Sequence, residues 1–455
     1  MKRSLISSAA AIIGALLLTH SAHGAARIWA NSGSDYNAGA SWTGGVPPGA
    51  GDVGQFSAAP VTQPNVTASL SNAGVYFSGT GTSGYSLTST GGAILTLTGV
   101  STSGSGGTSN SDAAAIRAEN TSGTNTIGVA LNLAPATGTQ STFVQATGGT
   151  LIVNSAITSA AGVNLSLRGG GTIQLNGENS FATASVNTAN QTVVVGSNTA
   201  LGAGTFTVGA TATLQAGGGA RTLANNMVLG GNTTLTGGNA FTFNGAVVSS
   251  GSSTRTLTVS NTGGAVFNGT VSLEEAGAPA GRQFTISGTS AVTINGVVQN
   301  GDAQPASLRY NGSATLTLTN ANTYSGGTFI AGNMVVTHDG GLGAGNVSIT
   351  AGNISLTLQN GATNNYIADT ATLNIQFTTS TVNLNYTGTD TIGGLIVNNS
   401  VMSPGIYGAV GSGAQFELAQ LMGSGTFTVV PEPATYMLMG LGVLICAQQF
   451  RRKRS

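Results

Sequence analysis

The sequence predicts an all-β protein: a right-handed parallel β-helix, or β-solenoid, over residues 27–430, between an N-terminal signal helix and a C-terminal transmembrane helix. Three observations carry this expectation. Short runs such as Leu95-Thr96-Leu97, Leu165-Ser166-Leu167, Ile173-Gln174-Leu175, Leu257-Thr258-Val259 and Leu316-Thr317-Leu318 alternate apolar and polar residues. That period of two, with many β-branched side chains, marks strands with one buried face. Gly and Asn separate the runs and supply turns. Finally, whole blocks recur: residues 172–181 (TIQLNGENSF) return at 315–324 (TLTLTNANTY), and 201–208 (LGAGTFTV) at 342–349 (LGAGNVSI). The nearest approach to a helical period is the stretch 113–120 around Ile116, about two turns long.

The first element, residues 1–26, reads as a secretory signal peptide. Lys2 and Arg3 form its basic start, 9–18 its apolar stretch, and Ala22, Gly24 and Ala26 the small residues of a cleavage site. The apolar stretch is short for a bilayer about 30 Å thick, which favours cleavage over anchoring.

Composition then limits what the middle can do. Charged residues make up 6% of the chain, against about 25% in ordinary globular proteins. Between Ala25 and Val430 there are seven Arg, twelve carboxylates and no Lys, a formal charge of −5. Phosphate recognition needs basic stripes, so nucleic acid is excluded as a partner. The only Cys is Cys446, near the C-terminus. Stability must therefore come from continuous stacking of repeats. At roughly 20 to 25 residues per coil, 16 to 20 coils are expected, a rod of roughly 80 to 95 Å. Ile173, Leu175, Leu316, Leu318, Val347 and Ile349 should face one core, with Thr, Ser and Asn facing water.

The repeated blocks resemble the autotransporter-associated β-strand repeat, with the clearest copies at 172–208 and 315–349. The stretch Trp42-Thr43-Gly44-Gly45-Val46-Pro47, then Gly51-Asp52 and Phe56, is similar to the N-terminal start of the same surface-protein group. Residues 405–429 resemble its last coil. The resemblance implies a parallel β-helix on the cell surface. No C-terminal outer-membrane barrel pattern accompanies it, so autotransporter-type secretion is not expected.

The last element is 431–455. Pro431, Glu432 and Pro433 precede an apolar run at 434–447, and Arg451, Arg452, Lys453 and Arg454 follow it. At 1.5 Å per residue the run spans roughly 21 Å, enough for transient insertion in the inner membrane. The basic end acts as a membrane stop and should stay cytoplasmic. This order resembles the PEP-CTERM sorting signal. The resemblance implies that an exosortase-type membrane protease cuts near the triplet.

Few residues suggest catalysis. His338 beside Asp339 is half of a triad, but Asp339-Gly340-Gly341 is a turn signal. Glu274-Glu275 is the only adjacent acidic pair, and it reads as a solvated loop; the Arg residues look scattered. Gly79, Gly81 and Gly84 match G-x-G-x-x-G by chance, because a strand-like run follows them. Trp29, Tyr36 and Trp42 suit a cap on the open solenoid end better than a sugar platform. No catalytic, cofactor or metal site is expected. The sequence thus describes an exported, non-catalytic surface or extracellular-matrix protein, structural or adhesive, membrane-associated before processing and then on the cell surface or extracellular. A polysaccharide-binding or polysaccharide-cleaving β-helix is the alternative. The expected partners are an exosortase-type protease and a surface polymer such as an exopolysaccharide.

Overall fold

The computed structural model describes residues 25–99, 114–136, 138–251, 253–279, 281–302 and 304–430. The chain winds as a parallel β-solenoid with three faces. A representative coil runs Met227–Leu229 on the first face, Thr233–Thr236 on the second and Phe241–Phe243 on the third. Val247–Ser249 then pairs back onto Met227–Leu229, one rung along. The first face has 12 strands, from Ala26–Ile28 to Val298–Gln299. The second has 16, from Asn65–Val66 to Ser400–Val401, of which only the last runs antiparallel. The third consists of a four-stranded and a nine-stranded sheet.

Fifteen parallel rungs on the second face give about 15 turns, and about 70 Å of column at ~4.8 Å per rung. This corrects the expected 16 to 20 coils. Coil length varies, from 19 residues between Thr328 and Val347 to 40 between Ser86 and Thr126. Residues before Asn65 and after Val397 mostly build the ends.

Inside the coils the alternation does what the sequence asks of it. Ile173, Leu175, Leu316, Leu318, Val347 and Ile349 are all fully buried in one continuous core. The stretch around Ile116 is not helical: Ile116–Ala118 is a strand on the first face, with Ile116 and Ala118 inward. Tertiary pairing with Phe143 and Val75 overrides a weak local helical pattern.

The repeated blocks explain where the faces break. In the first copy, Thr172–Leu175 lies on the second face and Thr183–Val186 on the first. The intervening 176–182 forms a loop where the third face would be. The same happens at 196–204, so the third face is split between Ile157–Ser159 and Arg221–Leu223. In the second copy, Thr315–Leu318 lies on the third face and Thr328–Ile330 on the second. Its loops replace the first face, which therefore ends at Gln299. The two copies share one local geometry, turned by one face of the solenoid.

Both ends are closed. Trp29, Tyr36, Trp42 and Phe56 are buried together at the start, with Trp29 and Trp42 edge-to-face at 5.2 Å. The Trp42 indole Nε1 donates to the Tyr36 carbonyl at 2.8 Å, and the Tyr36 hydroxyl donates to Asn72 Oδ1 at 3.0 Å. The aromatic cluster is a cap, inaccessible to sugar. At the other end Ser400–Val401 folds back on Gly394–Val397, and Gly405–Gly408 runs antiparallel to Thr426–Val429. Such reversals block edge-to-edge growth of a parallel sheet.

The expected signal helix at 1–26 falls almost wholly outside the described residues, and Ala26 itself opens the first strand. The expected transmembrane helix at 434–447 also lies outside them. Among the described residues the one helical turn is Gly39–Ser41, and no helix is long and apolar enough to cross a membrane.

Candidate functional site

His338 is exposed on its turn, and its Nδ1 donates to the Asp339 carbonyl oxygen at 2.7 Å. The Asp339 carboxylate points away from the imidazole, toward the next coil. Its Oδ2 accepts from Thr363 N at 2.8 Å and Thr363 Oγ1 at 3.0 Å, and its Oδ1 from Asn365 N at 3.0 Å. Burial works to raise the pKa of Asp339, but these hydrogen bonds outweigh it and hold the carboxyl below its ordinary value. The pair is a turn and an inter-coil brace.

A different cluster stands out. Three successive coils carry long loops at the corner between the first and second faces, described at 250–251 and 253–254, at 273–279 and 281, and at 300–302 and 304–305. Arg255, Glu274, Glu275, Arg282 and Asp302 gather there. The apparent scatter of these residues in the sequence is therefore corrected by the fold, and so is the reading of Glu274-Glu275 as a solvated pair. Glu275 remains at the surface, where its Oε1 accepts from Gly251 N at 2.9 Å and its Oε2 from the Ser250 hydroxyl. Asp302 Oδ2 accepts from Gly277 N at 2.6 Å. Arg255 Nε donates to the Ser250 carbonyl at 2.7 Å, and Arg282 Nη2 to the Ser253 carbonyl at 3.1 Å. Each loop is thus tied to a neighbouring coil.

The middle loop is sandwiched by the other two, and Glu274 at its start is fully buried. The Glu274 carboxylate makes no well-formed hydrogen bond, although the Gly301 N–H acts on it weakly, and Arg282 Nε and Nη1 have no partner. Burial, and secondarily the Asp302 charge, raises the Glu274 pKa; the Arg282 charge opposes this. In Glu275 the Ser250 and Gly251 bonds lower it. The signal that could have revealed the corner is spacing: Arg255, Glu274-Glu275 and Asp302 follow one another at about one coil length. Among the described residues, no group of three or more His, Cys, Asp and Glu side chains could hold a metal ion.

The faces themselves differ from this corner. On the second face, Thr124, Thr150, Thr172, Thr192, Thr213, Thr234, Thr258 and Ser287 form one unbroken column over eight rungs. The neighbouring column, Thr126, Ile152, Gln174, Val194, Gln215 and Thr236, has no charge either.

The solenoid ends where the tail begins. Thr426–Val429 is the last strand, and Val430 N donates to the Ile392 carbonyl at 3.2 Å. The next residues are Pro431, Glu432 and Pro433. Residues 429–453 match the PEP-CTERM protein-sorting motif. This motif marks the chain for export and for recognition by an exosortase, a membrane protease, with a membrane-anchored processing step and then surface display. The triplet, the whole apolar run 434–447 and Arg451, Arg452 and Lys453 fall within the match; Arg454 follows it, and all lie outside the described residues. Neither the curated proteins nor the solved structures give a significant match to the chain.

Proposed function

We propose that this chain is an exported, non-catalytic structural or adhesive protein of the cell surface or extracellular matrix. The observation that carries the reading is the direct junction of a 15-turn solenoid with a PEP-CTERM motif. A rigid column whose final strand abuts the sorting signal is suited to display. In this reading residues 1–26 are a cleaved signal peptide, and 434–447 pass transiently into the inner membrane. The copies at 172–208 and 315–349 are autotransporter-associated repeats. The non-catalytic assignment draws on the ionisable groups: Asp339, Glu275 and Asp302 are engaged in bracing coils. Cell fractionation with mass spectrometry of both termini tests the proposal. The expected result is a surface or secreted chain that begins near residues 25–27 and ends near 430–434. A cytoplasmic chain with both ends intact would overturn it.

One observation favours a second reading, a polysaccharide-binding or polysaccharide-cleaving solenoid. The charged corner brings Arg255, Glu275 and Asp302 together on one edge, polar groups of the kind that hydrogen-bond a hydroxyl-rich polymer. Retention of the exported protein on an immobilised neutral polysaccharide, lost on Arg255→Ala, would support it. Equal retention of the two proteins would remove the corner from consideration.

A further inference from the structure

We infer that the C-terminal end of the solenoid docks on the lipid bilayer through the apolar side chains of Val401, Ile406, Val410, Phe416 and Met422. The inference deepens the display reading above and rests on it for one step, the entry of residues 434–447 into the inner membrane. Three observations at this end point to lipid as the occupant.

The first is where the exposed apolar side chains lie. Ten large ones are exposed among the described residues, and five of them fall within 401–422. Val401 is 80% exposed and Val410 70%. Val401 lies on the strand that ends the second face and Met422 on the strand that ends the third. Phe416 lies on the edge strand of the small terminal sheet that also holds Ile406. They stand around the rim of the column's end rather than along a groove, which suits a deformable surface. The second is where the chain leaves. Val429 pairs with Gly405, next to Ile406, and Val430 makes the last backbone bond. Only Pro431, Glu432 and Pro433 separate it from the apolar run. From Val430 to Ala434 a fully extended chain reaches ~14 Å, of which the headgroup layer takes roughly 6 Å. A run seated in hydrocarbon thus holds this end of the column against the membrane surface.

The third is charge. From 394 to 430 the one charged residue is Glu417, whose carboxylate accepts from Gly411 N and Gly413 N, each at 2.9 Å. No Lys or Arg is present there, so attraction to anionic headgroups plays no part and the contact is apolar. The opposite end differs. It exposes Ile28, Val46 and Val61, but Ile28 follows Arg27, whose ion pair with Asp52 at 3.0 Å would have to leave water. The apolar run at 434–447 spans roughly 21 Å, short for ~30 Å of hydrocarbon, so a second contact at the interface adds to its hold.

Fluorescence quenching by labelled lipid tests the inference on the full-length chain reconstituted in phosphatidylcholine vesicles. Fluorophores are placed on Val410→Cys and on Val61→Cys, each in a Cys446→Ser chain, and separately on native Cys446. The reporter at 410 should be quenched, in high salt as in low, and the reporter at 61, on the opposite end, should not. The reporter on Cys446 reads entry of the tail by itself. Quenching at 446 without quenching at 410 would overturn the docking and leave the anchoring in place. Silence at both positions would overturn both. Equal quenching at 61 and 410, or loss of the signal at 410 in high salt, would likewise sink the docking. Val401→Ser with Met422→Ser changes two exposed side chains, so the fold stays intact. It should lower the docked-to-undocked ratio read at 410 about tenfold, with quenching at 446 unchanged. An unchanged ratio would overturn the rim as the contact. The vesicles hold no protein, so an end that meets only the protease stays unquenched at 410, which also overturns the inference.

Discussion

Asn179 and Asn322, 143 positions apart, make the same two hydrogen bonds. The Asn179 side-chain carbonyl accepts from Ile157 N at 2.8 Å and its amide donates to the Ala200 carbonyl at 2.7 Å. Asn322 accepts from Val298 N at 2.7 Å and donates to the Gly341 carbonyl at 2.6 Å. Each side chain therefore clamps three successive coils where a strand is missing. Two residues on, Phe181 and Tyr324 fill the core, and Gly202 and Gly343 turn over them at φ +76° and +71°. Loops that replace strands leave backbone groups unpaired; the buried Asn supplies the missing donor and acceptor.

From this follows the first prediction. Asn322→Ala leaves a buried N–H and a buried carbonyl without partners and should cost about 1–3 kcal/mol. Asn322→Asp should also destabilise, because a carboxylate cannot donate to the Gly341 carbonyl. Thermal denaturation of the exported protein checks both, and a midpoint equal to the parent's in both variants would contradict the clamp.

Asn-Gly turns recur at Asn244-Gly245, Asn268-Gly269 and Asn295-Gly296. Their side chains form a ladder, Asn268 Nδ2 to Asn244 Oδ1 at 2.8 Å and Asn295 Nδ2 to Asn268 Oδ1 at 2.9 Å. The glycines stack beneath it: a Cβ on Gly269 would lie 2.2 Å from the Gly245 carbonyl oxygen. Gly269→Ala should therefore force the coils apart at a cost of about 1–3 kcal/mol. Gly238→Ala meets nothing within 4 Å and should be neutral or slightly stabilising. Equal effects of the two substitutions in calorimetry would refute the stacking argument.

Much of this was legible beforehand, because a period of two is written directly in the residues. Ile173, Leu175, Leu316 and Leu318 could be placed inward from alternation alone. The match of 172–208 with 315–349 was equally visible as residues. Its consequence was not, because which face a strand joins depends on the summed lengths of all preceding corners. The charged corner was hidden for the same reason: Arg255 and Glu275 are 20 positions apart but belong to adjoining loops. Burial of Glu274 was hidden too, because a loop covered by its neighbours has the composition of an exposed one.

Asp390 makes the fold sensitive to pH. It is buried on the strand Thr389–Ile392, and its Oδ2 accepts from Tyr366 N and Ile367 N, each at 3.2 Å. Burial pushes its pKa up to about 8, aided by Asp369 and Asp339 and opposed by the two N–H groups. The folded state therefore holds a proton that the unfolded chain releases near pH 4. Its contribution to stability is complete below that value and lost as pH rises through about 8, with a slope of at most about 1.4 kcal/mol per pH unit. Asp390→Asn keeps an acceptor for both N–H groups and cannot ionise. Its melting temperature should be flatter than the parent's from pH 5 to 8, and identical profiles would exclude Asp390 as the titrating group.

The tail supplies the final prediction. The last backbone hydrogen bond of the solenoid is made by Val430, and the triplet Pro431-Glu432-Pro433 starts at the next residue. Proline disfavours helical backbone at the residue before it, so the sequence is expected to keep Glu432 itself out of a helix. A protease acting there must work directly against the end of the column. The apolar run 434–447 is too short for firm anchoring by itself, and Arg451, Arg452, Lys453 and Arg454 resist transfer across the bilayer. In the proposed reading the triplet would then be held near the outer surface of the inner membrane. Glu432→Ala should impair processing, so that the full-length chain accumulates in the inner-membrane fraction while the mature form falls at the surface. Mass spectrometry of the surface fraction is the measurement. Mature parent protein should lack Cys446, and peptides spanning 447–451 in that fraction would reduce the tail to a plain anchor.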